Sequence, residues 1–131
     1  MVYIFVLAVM SVLDGVWLKL TSDAFYRPQL AHVFAPTFTF WPALLFYPLY
    51  ALAVYVFVVA PALQGNATLG HTALRAALLG AAAYGAYDFT NQATIRNWPV
   101  VVTLVDIGWG MLVTTLVSLL VVVAVRAINS H

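Results

Sequence analysis

Residues 99–126 read PVVVTLVDIGWGMLVTTLVSLLVVVAVR, a run in which Asp106 is the only charged side chain before Arg126 closes it. A helix rises 1.5 Å per residue, so about 20 apolar residues are enough to cross the hydrocarbon core of a bilayer. The run exceeds that length. It therefore predicts a transmembrane helix from about residue 99 to about residue 125.

Three other apolar segments of similar length precede this one. They lie at about residues 2–20, 41–63 and 72–95, separated by short polar or proline-containing stretches. The predicted fold is all-α, a single domain over residues 1–131 that forms an antiparallel four-helix transmembrane bundle. With an even number of crossings, both termini lie on the same side of the membrane.

The composition of the whole chain agrees with a membrane location. Of 131 residues, 65% are hydrophobic and 7% are charged, whereas about 25% are charged in an ordinary soluble domain. The chain has no Cys, which excludes disulfides and thiolate metal sites. Its net charge of +1 excludes the basic surface that nucleic-acid binding needs. The lipid bilayer is therefore the first partner that the sequence predicts.

The longest connection is residues 21–40, between the first two helices. Its sequence predicts a short helix from Asp23 to Arg27 that ends near Pro28, because proline disfavours a helix interior. Its many aromatic residues suit the headgroup region, so the segment is expected to lie along the membrane surface. Pro48 lies inside the second helix and is expected to kink it.

The third predicted helix is rich in Ala and Gly between Ala73 and Ala86. Small residues let helix backbones approach closely in a membrane, where no hydrophobic force draws helices together. The pattern predicts close packing within one bundle, centred on residues such as Gly80. Contacts between copies of the chain are the alternative.

Three of the four aspartates lie at a common depth. Asp14 comes shortly before the end of the first helix, Asp88 lies eight residues before Arg96, and Asp106 lies eight residues after Trp98. At 1.5 Å per residue, all three carboxyl groups lie roughly 8–12 Å inside the same membrane boundary. They are therefore predicted to share one layer, next to the first and third loops.

Polar and aromatic side chains share this layer. On the third helix they recur at positions i, i+3, i+4 and i+7, which form one helical face. Facing lipid would be costly for these groups, so the polar stripes should converge inside the bundle. The predicted ligand-binding residues are Asp14, Trp17, Tyr47, Tyr50, Tyr84, Tyr87, Asp88, Asn91, Thr103, Asp106 and Trp109.

The three aspartates have no internal Lys or Arg to neutralise them. Like charges this close should not all ionise, so one should hold a proton unless a cation lies between them. Asp14, Asp88 and Asp106 are accordingly candidate catalytic groups and candidate ligands of Mg²⁺ or Mn²⁺, which prefer oxygen donors. In the alternative interpretation they only form hydrogen bonds that join the helices.

A short pattern, Asp-x-x-Trp, occurs twice. It appears as Asp14 with Trp17 in the first helix and as Asp106 with Trp109 in the fourth. Since these helices are predicted to run in opposite directions, the pattern hints at an inverted repeat.

Several motifs follow one another in the order of a known family. They are LDGVWL (13–18), FYR (25–27), FY (46–47) with Tyr50, PAL (61–63), AYGAYDFTN (83–91), ATI (93–95) with Trp98 and Pro99, and VTLVDIGWG (102–110). Together they resemble the bacterial membrane-protein family catalogued as domain of unknown function 2177. Phe89 stands where Leu is more usual in the core motif. The resemblance implies a small four-helix protein, which we expect in a bacterial inner membrane, and it implies no particular reaction or cofactor.

Three function classes fit these residues. The first is binding or transport of a small amphiphilic or cationic molecule with proton exchange, because carboxylates beside aromatic rings attract cations. The second is a membrane enzyme that acts on a lipid or isoprenoid through carboxylate acid/base chemistry or a divalent metal. The third is an accessory subunit of a larger membrane complex. A carrier needs access from both sides, whereas an enzyme needs a single opening.

Overall fold

A computed structural model describes all residues, 1–131, and every regular element in it is helical. We number the helices α1 (Val2–Leu30), α2 (Trp41–Gly65), α3 (Leu69–Thr94) and α4 (Val100–Asn129). The prediction of an all-α fold is confirmed.

Three of these helices, α1, α2 and α4, are long and apolar enough to cross a membrane. The sequence predicted four crossings, and α3 is the predicted crossing that is not apolar enough to be counted. With 26 residues it is long enough, but Ala and Gly replace the larger aliphatic residues. Arg75 and Asp88 further lower its hydropathy.

Helix α1 continues ten residues beyond its predicted end at residue 20, and Pro28 does not break it. Just before this proline, Ser22–Tyr26 form a π-helical turn in which the Arg27 N–H donates to the Ser22 carbonyl. The wider turn makes room for the proline ring, which would otherwise clash with the preceding turn. Helix α2 likewise contains a π-turn, over Tyr55–Val59, just before Pro61.

The core is a valine-rich cluster in the half of the molecule remote from residues 31–40. From α4 it takes Val113, Val117 and Val121, which repeat every four residues and so face one side. Val6 from α1 and Val54 from α2 pack against them, and all five are fully buried. Leu side chains on the outer faces are exposed, as expected where lipid replaces water as the solvent.

The closest helix contact lies between α3 and α4. A Cβ atom at Gly80 would clash with the backbone carbonyl of Gly110 and would lie 2.9 Å from the Cα atom of Met111. At Gly110 it would overlap the ring of Tyr84. These two glycines therefore allow the two backbones to touch, so this small-residue face is used within the chain.

The far end of the core is closed by a single arginine. The Nη2 atom of Arg126 donates to the carbonyl oxygens of Ala62 and Ala67, at 3.0 Å and 2.7 Å. Between these two, Asn66 is left-handed (φ 53°) and ends α2. Arg126 thus ties the C-terminal end of α2 to α4 by two hydrogen bonds.

Candidate functional site

The carboxyl group of Asp14 joins three helices. It is 8% exposed on α1. Its Oδ2 atom accepts a hydrogen bond from the hydroxyl of Tyr47 on α2. Its Oδ1 atom accepts one from the indole Nε1 of Trp109 on α4, at 2.8 Å. Both oxygens are therefore engaged by donors from neighbouring helices.

Asp106 on α4 has a similar arrangement with different donors. Its Oδ1 atom accepts a hydrogen bond from the hydroxyl of Tyr26. That hydroxyl in turn accepts one from Nε1 of Trp17, at 3.3 Å. Tyr26 is buried and belongs to the π-turn of α1. It reaches Asp106 because α1 continues beyond residue 20.

The two Asp-x-x-Trp motifs meet through their tryptophans. The indole rings of Trp17 and Trp109 are stacked, with centroids 4.4 Å apart and planes 6° from parallel. Trp109 donates to the aspartate of the other motif, Asp14, and Trp17 reaches Asp106 through Tyr26. Each tryptophan thus serves the opposite motif.

Asp88 on α3 is fully buried, at 0% exposure, and neither carboxyl oxygen has a hydrogen-bond partner. The carboxyl group of Asp106 lies within hydrogen-bonding reach and interacts with it electrostatically. Two acceptors therefore face each other without a donor between them, which is costly in a buried place.

A cavity of about 740 Å³ lies beside these groups, on the side of residues 31–40. Six of the predicted site residues line it: Asp14, Trp17, Tyr84, Tyr87, Asp106 and Trp109. Six residues of the connection between α1 and α2 also line it: Phe34, Ala35, Pro36, Thr37, Phe38 and Thr39. Arg27 lies in the wall too, but its Nε atom is paired with the exposed Asp23 at 2.7 Å. The inner wall is therefore acidic and aromatic.

Five predicted site residues do not line this cavity. Tyr47 lies behind Asp14, and Asp88 lies behind Asp106. Tyr50 is buried, and its hydroxyl is 2.8 Å from the hydroxyl of Thr114. Tyr50 lies about one helical turn from Tyr47 and therefore packs among the core residues.

The remaining two, Asn91 and Thr103, lie toward the loop end of α3 and α4. Asn91 lines a neighbouring cavity of about 260 Å³ together with Tyr87. Thr103 accepts a hydrogen bond from Nε1 of Trp98 at 3.1 Å and donates to Oε1 of Gln92 at 2.9 Å. This second polar network closes the end of the α3–α4 pair.

A family model described as "Predicted membrane protein (DUF2177)" matches residues 1–123. The chain belongs to this family. The resemblance inferred from the motifs is thereby confirmed, and with three apolar helices the family description supports a membrane location. No curated protein and no solved structure matches the chain.

The sequence analysis did not include three residues of the candidate site and its neighbouring polar network. Tyr26 was assigned to a surface segment, because the π-turn that carries it inward interrupts the 3.6-residue periodicity. Trp98 lies just before the fourth predicted helix and was not among the predicted site residues, although it is 6% exposed and lines the cavity. Gln92 follows Asp88 by four residues, so the helical stripe that selected Asp88 could also have selected it.

The proposed metal ligands do not come together. No group of three carboxylate or histidine side chains has the geometry to hold a metal ion. Asp14 is turned toward Tyr47 and Trp109, and Asp106 is turned toward Tyr26. The structure does not gather Asp14, Asp88 and Asp106 into one metal site, and their role as metal ligands stays a prediction.

Proposed function

We propose that the chain is an antiparallel four-helix transmembrane bundle, a single domain of the bacterial inner membrane with both termini on one side. In this bundle α3 is the fourth span. Its 26 residues correspond to about 39 Å of helix, more than the hydrocarbon thickness. Its polar Thr72 and Asp88 are buried, while Leu74 and Leu78 are exposed. This distribution suits a helix that faces lipid on one side and α4 on the other.

We further propose that this bundle binds a small amphiphilic molecule with a cationic group. The observation that carries the proposal is the pairing of two carboxylates, Asp14 and Asp106, with one cavity whose only basic side chain is bound elsewhere. An unpaired negative charge in a low-dielectric place attracts a cation strongly. The ligand would supply the counter-charge that the protein lacks.

The shape and lining of the cavity support the same ligand class. Its volume lies within the range of about 300–1,000 Å³ that is usual for small-molecule sites. The stacked pair Trp17 and Trp109 offers an aromatic surface, on which a cation gains roughly 0.5–2 kcal/mol. Apolar residues of the connection, such as Phe34 and Phe38, would contact a hydrocarbon chain.

Proton exchange follows from the same geometry. Without a ligand, the charge of Asp106 at the cavity wall has no counter-ion, so a proton taken from the cavity neutralises it. A cationic ligand replaces that proton. The valine core beyond Met10 and Tyr50 closes the opposite half of the bundle. Binding from one side therefore fits better than transport, for which this core would have to open.

An enzyme acting on a lipid or isoprenoid is the second candidate. The observation in its favour is that Asp14 and Asp106 both line one cavity. One carboxyl group could serve as general acid and the other as general base. In that case the ligand would be consumed when bound.

The test is a binding series on the purified protein in lipid nanodiscs. Amphiphiles of equal chain length with a quaternary ammonium, a neutral or a sulfate headgroup are titrated while tryptophan fluorescence is recorded. The proposal predicts saturable binding of the ammonium compound, at least tenfold tighter than the other two. Equal affinities for all three would contradict it. Chemical analysis of the ammonium compound after incubation distinguishes binding from turnover.

A further inference from the structure

Asp88 has no role in the proposed function so far, yet its position is the least favourable of the four aspartates. It is fully buried, its two oxygens have no partner, and the one ion pair in the molecule, Arg27 with Asp23, lies elsewhere. An isolated buried carboxylate is strongly unfavourable, because it has lost its hydration and gained no partner. Such a group is normally neutral.

The groups around Asp88 add no positive charge. Asp106 faces it from α4, and Tyr26 on α1 and Tyr87 on α3 are close enough to interact with it electrostatically. Further away, Asp14 on α1 interacts with Asp106, and Tyr47 on α2 donates to Asp14. Every one of these groups is acidic. Lys19, Arg96 and His32 are exposed. Only a proton can therefore neutralise Asp88 within the chain.

We propose that Asp88 permanently holds a proton and donates it as a hydrogen bond to Asp106, so that it is a positioning residue of the cation site. Asp106 would then receive two donors, the hydroxyl of Tyr26 and the acid group of Asp88. Because Asp88 keeps its proton, the dyad carries at most one negative charge, and that charge lies on Asp106 at the cavity wall. The ligand-binding part of this inference rests on the proposed function.

The two carboxyl groups thus have different duties. Asp106 lines the cavity, so its proton can exchange with the medium or with a ligand. Asp88 lies behind it without access to the cavity. Its proton stays in place and fixes the orientation of the Asp106 carboxylate.

The first test does not depend on any ligand. Infrared difference spectra of the wild type, Asp88→Asn and Asp106→Asn in nanodiscs report protonated carboxyl groups by their C=O stretching band. The proposal predicts a band that remains at mildly alkaline pH, where Asp106 has released its exchangeable proton. This band persists in Asp106→Asn and is lost in Asp88→Asn. A wild-type spectrum without this band would overturn the inference, whatever the fate of the proposed function.

The second test uses binding of the quaternary ammonium amphiphile. Asparagine can donate from its amide as the protonated acid does, so Asp88→Asn should bind within about threefold of the wild type. Asp88→Leu lacks a donor, and its affinity should fall about tenfold, as expected for the loss of one hydrogen bond to a charged group. Its stability in detergent shows whether it is folded.

Two results would contradict the inference. If Asp88→Asn lost binding as completely as Asp106→Asn, Asp88 would itself supply a negative charge to the ligand. If the infrared band of Asp88 vanished on adding the ammonium compound, its proton would be exchangeable and not permanent.

Discussion

Trp17 and Trp109 stack face to face, with ring centroids 4.4 Å apart. The stack brings together two copies of the same four-residue pattern, one from α1 and one from α4. Because each indole N–H serves the opposite motif, directly for Asp14 and through Tyr26 for Asp106, the two aspartates are held by one connected structure. A substitution at either tryptophan should therefore change the hydrogen bonding of the carboxyl group in the opposite motif.

The two tryptophans should nevertheless differ in their contribution to stability. Trp109→Phe keeps a ring in the stack but removes a hydrogen bond to a carboxylate, which should cost about 2 kcal/mol. Trp17→Phe removes a longer bond to a neutral hydroxyl and should cost under about 1 kcal/mol. Unfolding by SDS in mixed micelles measures both values. The reverse order would show that Asp14 does not depend on Trp109.

The contact between α3 and α4 gives a second prediction. Gly80→Ala should destabilise the protein by about 2 kcal/mol or more, because its new methyl group meets the backbone of Gly110. Gly108→Ala is the matched control, since a Cβ atom there meets nothing within 4 Å. The control should be neutral or more stable by up to about 1 kcal/mol, since alanine favours helices. Equal stability of the two variants would refute the close contact.

The depth of a residue along a helix can be counted from the sequence, and on this basis Asp14, Asp88 and Asp106 were predicted to share one layer. The direction in which each side chain points around the helix axis is harder to predict. Adjacent helical residues differ by about 100° in direction, so Tyr87 lines the cavity whereas Asp88 is fully buried. The stripe of polar residues marks one face of α3. Which residues of the stripe line the cavity and which are buried against Asp106 depends on how closely α4 approaches α3.

The path of the chain after residue 20 could not be predicted for a different reason. Proline statistics favour a break near Pro28, and the π-turn that avoids the break leaves no periodic signal. As a result Tyr26, which donates to Asp106, was placed at the surface. The all-α fold itself was predictable because apolar segment length determines it directly.

Arg126 offers a prediction about the end of the bundle remote from the cavity. Arg126→Gln should cost about 1–2 kcal/mol, since its guanidinium binds two carbonyl groups at the end of α2. Arg75→Gln is the control. Arg75 is exposed and makes no such contact, so its change should stay within about 0.5 kcal/mol. The difference in thermal stability between the variants checks the role of Arg126.

The proposed four-span topology predicts a pattern of labelling. The chain has no native cysteine, so single cysteines can be introduced on a clean background. Gly65→Cys and Ser130→Cys should react with a membrane-impermeant reagent from one side. Thr39→Cys and Arg96→Cys should react from the other. If positions 65 and 96 were labelled from the same side, α3 would not cross the membrane.

The central claim is that the charge of Asp106 holds a cationic ligand in the cavity. It is tested most directly by the dissociation constant of the quaternary ammonium amphiphile for Asp106→Asn, measured by tryptophan fluorescence in nanodiscs. The control is Arg75→Gln, which changes one charge at an exposed position that does not line the cavity. We expect at least a tenfold weaker affinity for Asp106→Asn, corresponding to about 1.4 kcal/mol or more, and an unchanged affinity for Arg75→Gln. Wild-type affinity in a folded Asp106→Asn protein would contradict it.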